Sequence, residues 1–288
     1  MKILVAGGSG QLGSEFSHWN SPTLECICLG SSELDITNAA AIKEQLAKHS
    51  PDIVINCAAY TAVDKAEEEK ARAYAINCDG VTYLAHACAS ADIPLLHVST
   101  DYVFSGSQTK PYLESDATDP QGVYGASKLA GELALKEAWH KHIILRVSWV
   151  FGRYGANFVK TMLRVGRERD ELNVVADQLG APTAARSIAE NLINVAERLH
   201  ASEEMPWGTY HFQSGPFTSW HGFAEEIFAQ SVQLNKLPKS PTVNAITSSE
   251  YPTPAARPAN SQMLSAKKLP GIVPCNWQEE LQLVLKVL

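Results

Sequence analysis

None of the six cysteines (Cys26, Cys28, Cys57, Cys78, Cys88, Cys275) forms a C-x-x-C pair, which removes the commonest thiol-redox and zinc signatures. Several sit inside apolar runs, where a thiol behaves as a small hydrophobe. A basic excess is also missing: 24 lysines and arginines against 31 aspartates and glutamates give a net charge of −7. Without a positive stripe to displace counterions, the balance argues against a nucleic-acid partner. No apolar run approaches the length of a membrane span, and no leader-like segment precedes the first strand pattern. A cytoplasmic protein with no membrane partner is therefore expected. Internal repeats and low-complexity tracts are absent too.

What is present suits a globular enzyme. The 288 residues are 45% hydrophobic and 19% charged, enough for a nucleotide domain with a smaller lobe. Short runs rich in Ile, Leu and Val, at 2–6, 24–29, 52–57, 94–99 and 142–148, read as strands buried on both faces. Helical patterns lie between them near 11–19, 38–49, 65–91 and 124–140. This alternation predicts an α/β fold, a Rossmann doubly wound parallel sheet over residues 1–150. Past Trp149 the texture changes. Helical patterns near 157–169, 185–199 and 219–235 remain, strands are sparse, and 237–257 is rich in Pro, Ser and Thr. Residues 151–288 are expected to form a smaller C-terminal substrate-binding lobe, interleaved with the first domain.

The first strand pattern runs into "GGSGQLG". Gly7, Gly10 and Gly13 have G-x-x-G-x-x-G spacing, and Gly8, Gly10 and Gly13 the tighter G-x-G-x-x-G. Either form turns the chain out of a strand and bares backbone amides to a pyrophosphate at a helix start. A tight turn without a ligand is the alternative; the strand before and helix after favour the cofactor. After the second strand a carboxylate would hold a ribose 2′-hydroxyl, but the sequence reads "LGSSELD", with Gly30, Ser31 and Ser32 there. That leaves room for a 2′-phosphate, with no arginine nearby in sequence to pair with it. NADPH, with NADH tolerated, is the expected cofactor.

Further on, "VYGASKLAGE" puts Tyr124 and Lys128 four residues apart, on one face of a helix. "HVSTDYVF" ends the fourth strand in Ser99 and Thr100, at the edge where an open α/β sheet holds its ligand. A hydroxyl, a phenol and an ammonium beside a nicotinamide suit carbonyl reduction. A free phenol titrates near pH ~10, and a neighbouring ammonium is expected to lower that value. Thr100 can orient the carbonyl oxygen and stabilise its developing charge. Each feature alone has a bland alternative, a surface Y-x-x-x-K or a strand-end cap; their order along one chain favours catalysis.

The stretches "GGSGQLG", "NCAAYTAVDKAE", "STDYVF", "VYGASKLAGE", "ILRVSWVFG", "DQLGAPT" and "YPTPAARP" resemble the extended short-chain dehydrogenases. Within that superfamily they are similar to the dTDP-4-dehydrorhamnose reductase family, from residue 3 to about 261. The resemblance implies NAD(P)H-dependent reduction of the 4-keto group of a dTDP-4-dehydro-6-deoxy sugar (the L-lyxo-4-hexulose) to dTDP-L-rhamnose. It makes Tyr124 the proton donor, Lys128 the residue that holds the nicotinamide ribose, and Thr100 the partner of the sugar carbonyl. It puts Gln11 and Leu12 with the glycines against the pyrophosphate, and Asp35 and Ile36 beside the adenine. Ala58, Ala59 and Thr61 would line the cofactor path, with Tyr102 near the nicotinamide. For the sugar nucleotide it implies Trp149, whose flat face suits a deoxysugar, together with Asp101, Asn157, Gln178 and Arg257. Asp101 also suits a loop-fixing role. Arg257 is expected on the substrate diphosphate, and Asn77 in support of the catalytic lysine.

The resemblance further implies a homodimer. Some family members hold Mg²⁺ at a dimer contact, with a glutamate after the glycine motif. Glu15 occupies that place and Glu190 lies near a second, although two isolated carboxylates suit a hard cation poorly, and no metal ligand is assigned. A 4-epimerase or related 4-keto reductase is the runner-up. "TDY" lacks the second acid that 4,6-dehydratases place after the threonine. A non-catalytic, reductase-like regulatory subunit is the third reading, opposed by the intact Thr100, Tyr124 and Lys128.

Overall fold

The structure, a computed structural model, describes residues 1–19 and 21–288. Its first strands, β1 (Lys2–Ala6), β2 (Glu25–Leu29), β3 (Ile53–Asn56), β4 (Leu95–Thr100) and β5 (His142–Val147), fall within a residue or two of the expected ones. Short strands β6 (Val150–Phe151), β7 (Glu171–Val175), β8 (Leu179–Gly180) and β9 (Thr183–Ala184) follow. The chain then returns to the main sheet as β10 (Gly208–His211). The six-stranded sheet has the order β10-β5-β4-β3-β1-β2, and its pairings are parallel. The order reverses between β1 and β3, which opens a crevice at their carboxyl ends. The sequence reading missed β10 because "GTYH" carries only one large apolar residue.

Strand residues alternate between two cores. Ile3, Val5, Ile53, Ile55, Leu145 and Val147 face one cluster, and Leu4, Ala6, Val54, Leu95 and Ile144 face the other. Burial on both faces explains why the runs are continuously apolar rather than alternating. Helix α1 (Ala39–His49) starts at Asn38, whose side chain accepts from the amides of Ala40 and Ala41 at 3.0 and 3.2 Å. The expected 65–91 helix is broken into α2 (Val63–Ala66), α3 (Lys70–Tyr74), a π-helical turn at Ala75–Asp79, and α4 (Gly80–Ser90). Helix α5 (Val123–Ala138) carries the Tyr-Lys pair, and with α1 and α4 it covers the second core.

The remaining helices are α6 (Phe158–Glu168), α7 (Ala185–His200), α8 (Trp220–Gln233) and α9 (Trp277–Val287). Helix α7 packs into the first sheet core through Ile188, Leu192 and Val195, so the second half of the chain re-enters the sheet. Helices α6, α8 and α9 gather a separate cluster around Phe151, Phe223 and Trp277. Two strands complete the fold: β11 (Thr218–Ser219) pairs with β8, and β12 (Thr242–Ile246), inside the Pro/Ser/Thr-rich stretch, pairs with β7. Among the described residues no helix is long and apolar enough to cross a membrane.

The segment after the glycine cluster departs from expectation. It is a 3₁₀ turn over Gly13–His18, too short for the dipole of a full α-helix, so anion binding there rests on amides rather than on a helix axis. Helix α5 meets the π turn at very close range: a Cβ on Gly131 would lie 2.0 Å from the Asn77 carbonyl oxygen. Gly131→Ala should therefore push α5 off the π turn and cost about 1–3 kcal/mol. Urea unfolding measures this, and an unchanged midpoint with an unchanged m-value would refute the contact.

Candidate active site

The carboxyl ends of β1, β3, β4 and β5 open into two adjoining cavities that share Gly10, Cys57, Ala59 and Thr61. One, of about 390 Å³, lies toward β2 and is lined by Gly7, Ser31, Asp35, Ile36, Ala58 and Arg72, among others. The other, of about 460 Å³, holds Gln11, Leu12, Thr100, Asp101, Tyr102, Tyr124, Lys128 and Trp149. An elongated cleft at the order reversal fits a dinucleotide in length and in its bare backbone.

The glycines divide by role. Gly7 has φ +80, and a Cβ on Gly13 would lie 2.1 Å from the Gly7 carbonyl oxygen, so both serve the turn itself. A Cβ on Gly10 would meet only the Gly7 oxygen, at 3.2 Å. Its bareness faces the cleft, where close approach of a ligand gives glycine a purpose. The described protein thus fits a pyrophosphate here.

Thr100 ends β4. Its Oγ1 donates to Asp101 Oδ1 at 3.0 Å and accepts from the Tyr102 amide at 3.3 Å. Tyr102 and Tyr124 meet edge to face, with ring centroids 5.4 Å apart. Burial is the largest influence on each titratable group. It pushes the Tyr102 phenol up to about 12 and the Asp101 carboxyl up to about 6. It raises the Tyr124 phenol as well; a hydrogen bond with Thr100 opposes the rise, and the Asp101 charge and Tyr102 add to it. Lys128 falls to about 8 through burial, against the favourable charge of Glu132. The expected acidification of Tyr124 by Lys128 is thus reversed: burial disfavours the phenolate, and the groups acting on the phenol are Thr100, Asp101 and Tyr102. Lys128 Nζ instead donates to the Val98 carbonyl at 2.8 Å and lies 3.4 Å from His97 Nε2.

Asn77 does not reach the lysine. From the π turn it binds the Tyr60 backbone both ways, accepting from the amide at 2.8 Å and donating to the carbonyl at 3.1 Å. It also donates to Ser127 Oγ at 3.0 Å, next to Lys128. It therefore fixes the loop after β3 to α5. Glu132, one turn past Lys128, is fully buried and held bidentately by Arg146 at 2.9 and 2.7 Å, with Ser99 Oγ donating at 2.6 Å.

Trp149 has φ +47, a strained conformation for a bulky residue that is typical of functional sites. It stacks on Trp220, with centroids 3.8 Å apart and planes 15° apart, and a Cβ on Gly180 would strike its ring at 2.7 Å. Trp220 and Phe158 also line the cleft. The sequence reading named neither, since each lay within a helical pattern with no motif to mark it. It missed Arg72 too, which lines the same cavity as Ser31 and pairs with Glu69 at 3.2 Å, although no arginine stands near Ser31 in sequence.

Other expected residues are engaged elsewhere. Asn157 caps α6, accepting from the Lys160 amide at 3.2 Å and donating to the Gly152 carbonyl at 2.7 Å. Gln178 donates to Ser248 Oγ at 3.0 Å. Arg257 pairs with Asp64 at 2.7 Å and keeps one buried, unpartnered nitrogen, Nη1. Glu15 is buried against Arg153 at 3.4 Å, and among the described residues no cluster of three or more His, Cys, Asp or Glu could hold a metal. The expectation of Mg²⁺ is not supported, since an arginine already neutralises Glu15.

The comparisons agree with one another. A family model described as the RmlD substrate binding domain matches residues 1–288. The dTDP-4-dehydrorhamnose reductase of Aggregatibacter actinomycetemcomitans is 45% identical over 285 residues, covering 98% of this chain and 97% of that protein. A crystal structure of a dTDP-4-dehydrorhamnose reductase from Clostridium acetobutylicum superposes with TM-score 0.89 at 37% identity, covering 100% of this chain and 99% of that one. The Bacillus anthracis reductase, solved in complex with NADP, gives TM-score 0.88 at 34% identity, with 100% and 99% covered.

Asp101 supplies a test of the site's electrostatics. A carboxyl raised above its unfolded value contributes stability at low pH that disappears as pH rises through about 6. Between pH ~4 and ~7 the wild type should lose about 2 kcal/mol relative to Asp101→Asn. Urea midpoints across that range measure the difference, and parallel curves would contradict the burial argument.

Proposed function

This chain belongs to the RmlD substrate-binding-domain family, and from that premise we propose that it uses NAD(P)H to reduce the 4-keto group of dTDP-4-dehydro-6-deoxy-L-mannose, giving dTDP-L-rhamnose. The observation that carries the reading is the convergence of Thr100, Tyr124 and Lys128 on one cavity at the order reversal of a parallel sheet, beside a bare Gly10.

The bound nicotinamide supplies hydride to the carbonyl carbon. The chain's own groups manage the oxygen. Thr100 Oγ1 orients the carbonyl, and the Tyr124 phenol delivers a proton as the alkoxide forms. A raised phenol is suited to that role, because it stays protonated until a stronger base appears, and an alkoxide is one. The Lys128 ammonium holds the ribose and adds positive charge beside the developing oxyanion. Trp149, braced by Trp220, offers an apolar wall to the deoxysugar, and the free Nη1 of Arg257 suits the diphosphate.

The same proposal assigns residues 1–150 to the cofactor and 151–288 to the substrate, with the second half returning strand and helix to the sheet. It includes a homodimer in the cytoplasm. NADPH is the preferred cofactor in this reading, supported by Ser31 and Arg72, which together offer a hydroxyl and a cation to a phosphate in the cavity toward β2.

Supplying dTDP-4-dehydro-6-deoxy-L-lyxo-hexulose with NADPH should give loss of reduced-nicotinamide absorbance and a rhamnosyl product. Tyr124→Phe should lower kcat by roughly 10²–10⁴-fold, the worth of a positioned proton donor. Unchanged turnover in that variant would end the assignment, and tightly retained NAD without net reduction would point to an epimerase. For cofactor choice, Arg72→Ala should lower kcat/KM for NADPH by roughly tenfold, about 1.4 kcal/mol, and leave NADH near wild type. Equal losses with both cofactors would remove Arg72 from the phosphate.

A further inference from the structure

Behind Lys128 runs a buried chain of hydrogen bonds that the reaction itself does not use. Asn56, at the end of β3, accepts from the Ala58 amide through Oδ1 at 3.0 Å. An amide hydrogen can meet only an oxygen there, so the carboxamide has one orientation. Its Nδ2 then points at His97 Nδ1, 3.1 Å away, and must donate to it. A ring whose Nδ1 accepts, and which is fully buried, is neutral and carries its hydrogen on Nε2. That Nε2 faces Lys128 Nζ at 3.4 Å. An N–H therefore confronts an ammonium, which has three hydrogens and no acceptor, whereas a neutral amine would present a lone pair.

We propose that His97 is a positioning residue whose Nε2–H, aimed by Asn56, opposes the Lys128 ammonium and so limits the pH range over which the lysine stays charged. The assignment rests on the functional reading above. The groups acting on the pair are few. Glu132 favours the ammonium but is shared with Arg146 and Ser99, and burial holds the Cys57 thiol protonated. His142 acts on His97 in the same direction as burial, keeping the ring neutral. The Val98 carbonyl accepts from Nζ in either state. Tyr124 stands one turn away on α5, in the same cavity.

The test uses the full chain labelled with ¹⁵N-histidine and ¹³C-lysine, with Lys128 assigned through Lys128→Met. NMR should show His97 protonated on Nε2 and neutral across the titration. His97→Gln can turn a carboxamide oxygen to the ammonium, so the Lys128 midpoint should rise by about one pH unit. Asn56→Asp offers a second route: an acceptor opposite Nδ1 should move the hydrogen to that nitrogen, freeing Nε2 to accept, and again raise the midpoint. The alkaline limb of kcat should follow in both variants. The proposal is overturned by an Nδ1-protonated His97 in the wild type, or by a Lys128 midpoint that stays or falls in folded variants. A role in packing alone would lower kcat evenly and leave the limb in place. If neither variant folds, the wild-type tautomer still decides. An absence of turnover on the 4-keto sugar would sink the functional reading, while the two resonances would still report on His97.

Discussion

The contact between α5 and the π turn is the constraint on which the site depends. Gly131 has no side chain, so α5 can lie against the Asn77 carbonyl, and the Asn77 side chain is then free to grip the Tyr60 backbone. One asparagine thereby ties the helix that carries Tyr124 and Lys128 to the loop that follows β3. A regular α-helical turn would carry that carbonyl along the helix axis. The π turn lets it bulge toward α5, in keeping with the tendency of such turns to mark functional sites.

Burial then does opposite things to two neighbouring groups for a single reason. Both the phenolate of Tyr124 and the ammonium of Lys128 are charged forms that a dry site disfavours, so the phenol is raised and the lysine lowered. The site keeps its proton on the donor and holds its cation with little to spare. Glu132, the obvious counter-charge one turn away, is largely satisfied by Arg146 and Ser99. Removing one partner of such a buried pair would strand the other charge, so this ion pair braces α5 against β4 and β5 rather than serving the lysine.

The nucleotide side follows the same logic on a larger scale. The cleft has bare backbone where a pyrophosphate must come close and few cations: Lys128 on one cavity wall and Arg72 on the other. An acidic chain can in this way receive an anionic ligand without a basic surface. The aromatic wall of Trp149 on Trp220 is built across the two halves of the chain, which explains why the strained backbone at Trp149 persists: the stacked ring and the bare Gly180 leave it no other place.

Strand by strand, the sequence determined the parallel sheet, since runs such as Lys2–Ala6 and His142–Val147 are apolar enough to be buried on both faces and nothing else suits them. It also made Gly10, Thr100, Tyr124 and Lys128 candidates, since their order and spacing are local facts. The tertiary structure decided what depends on distant neighbours. It put Arg72 and Ser31 on one cavity, set Trp220 under Trp149, and aimed Asn56 at His97 and His97 at Lys128. It also gave Asn157 to a helix cap and Glu15 to an arginine, and it reversed the expected shift of Tyr124. A pattern of residues states which groups are available, but desolvation and partner choice arise only when separate segments exclude water from the same place.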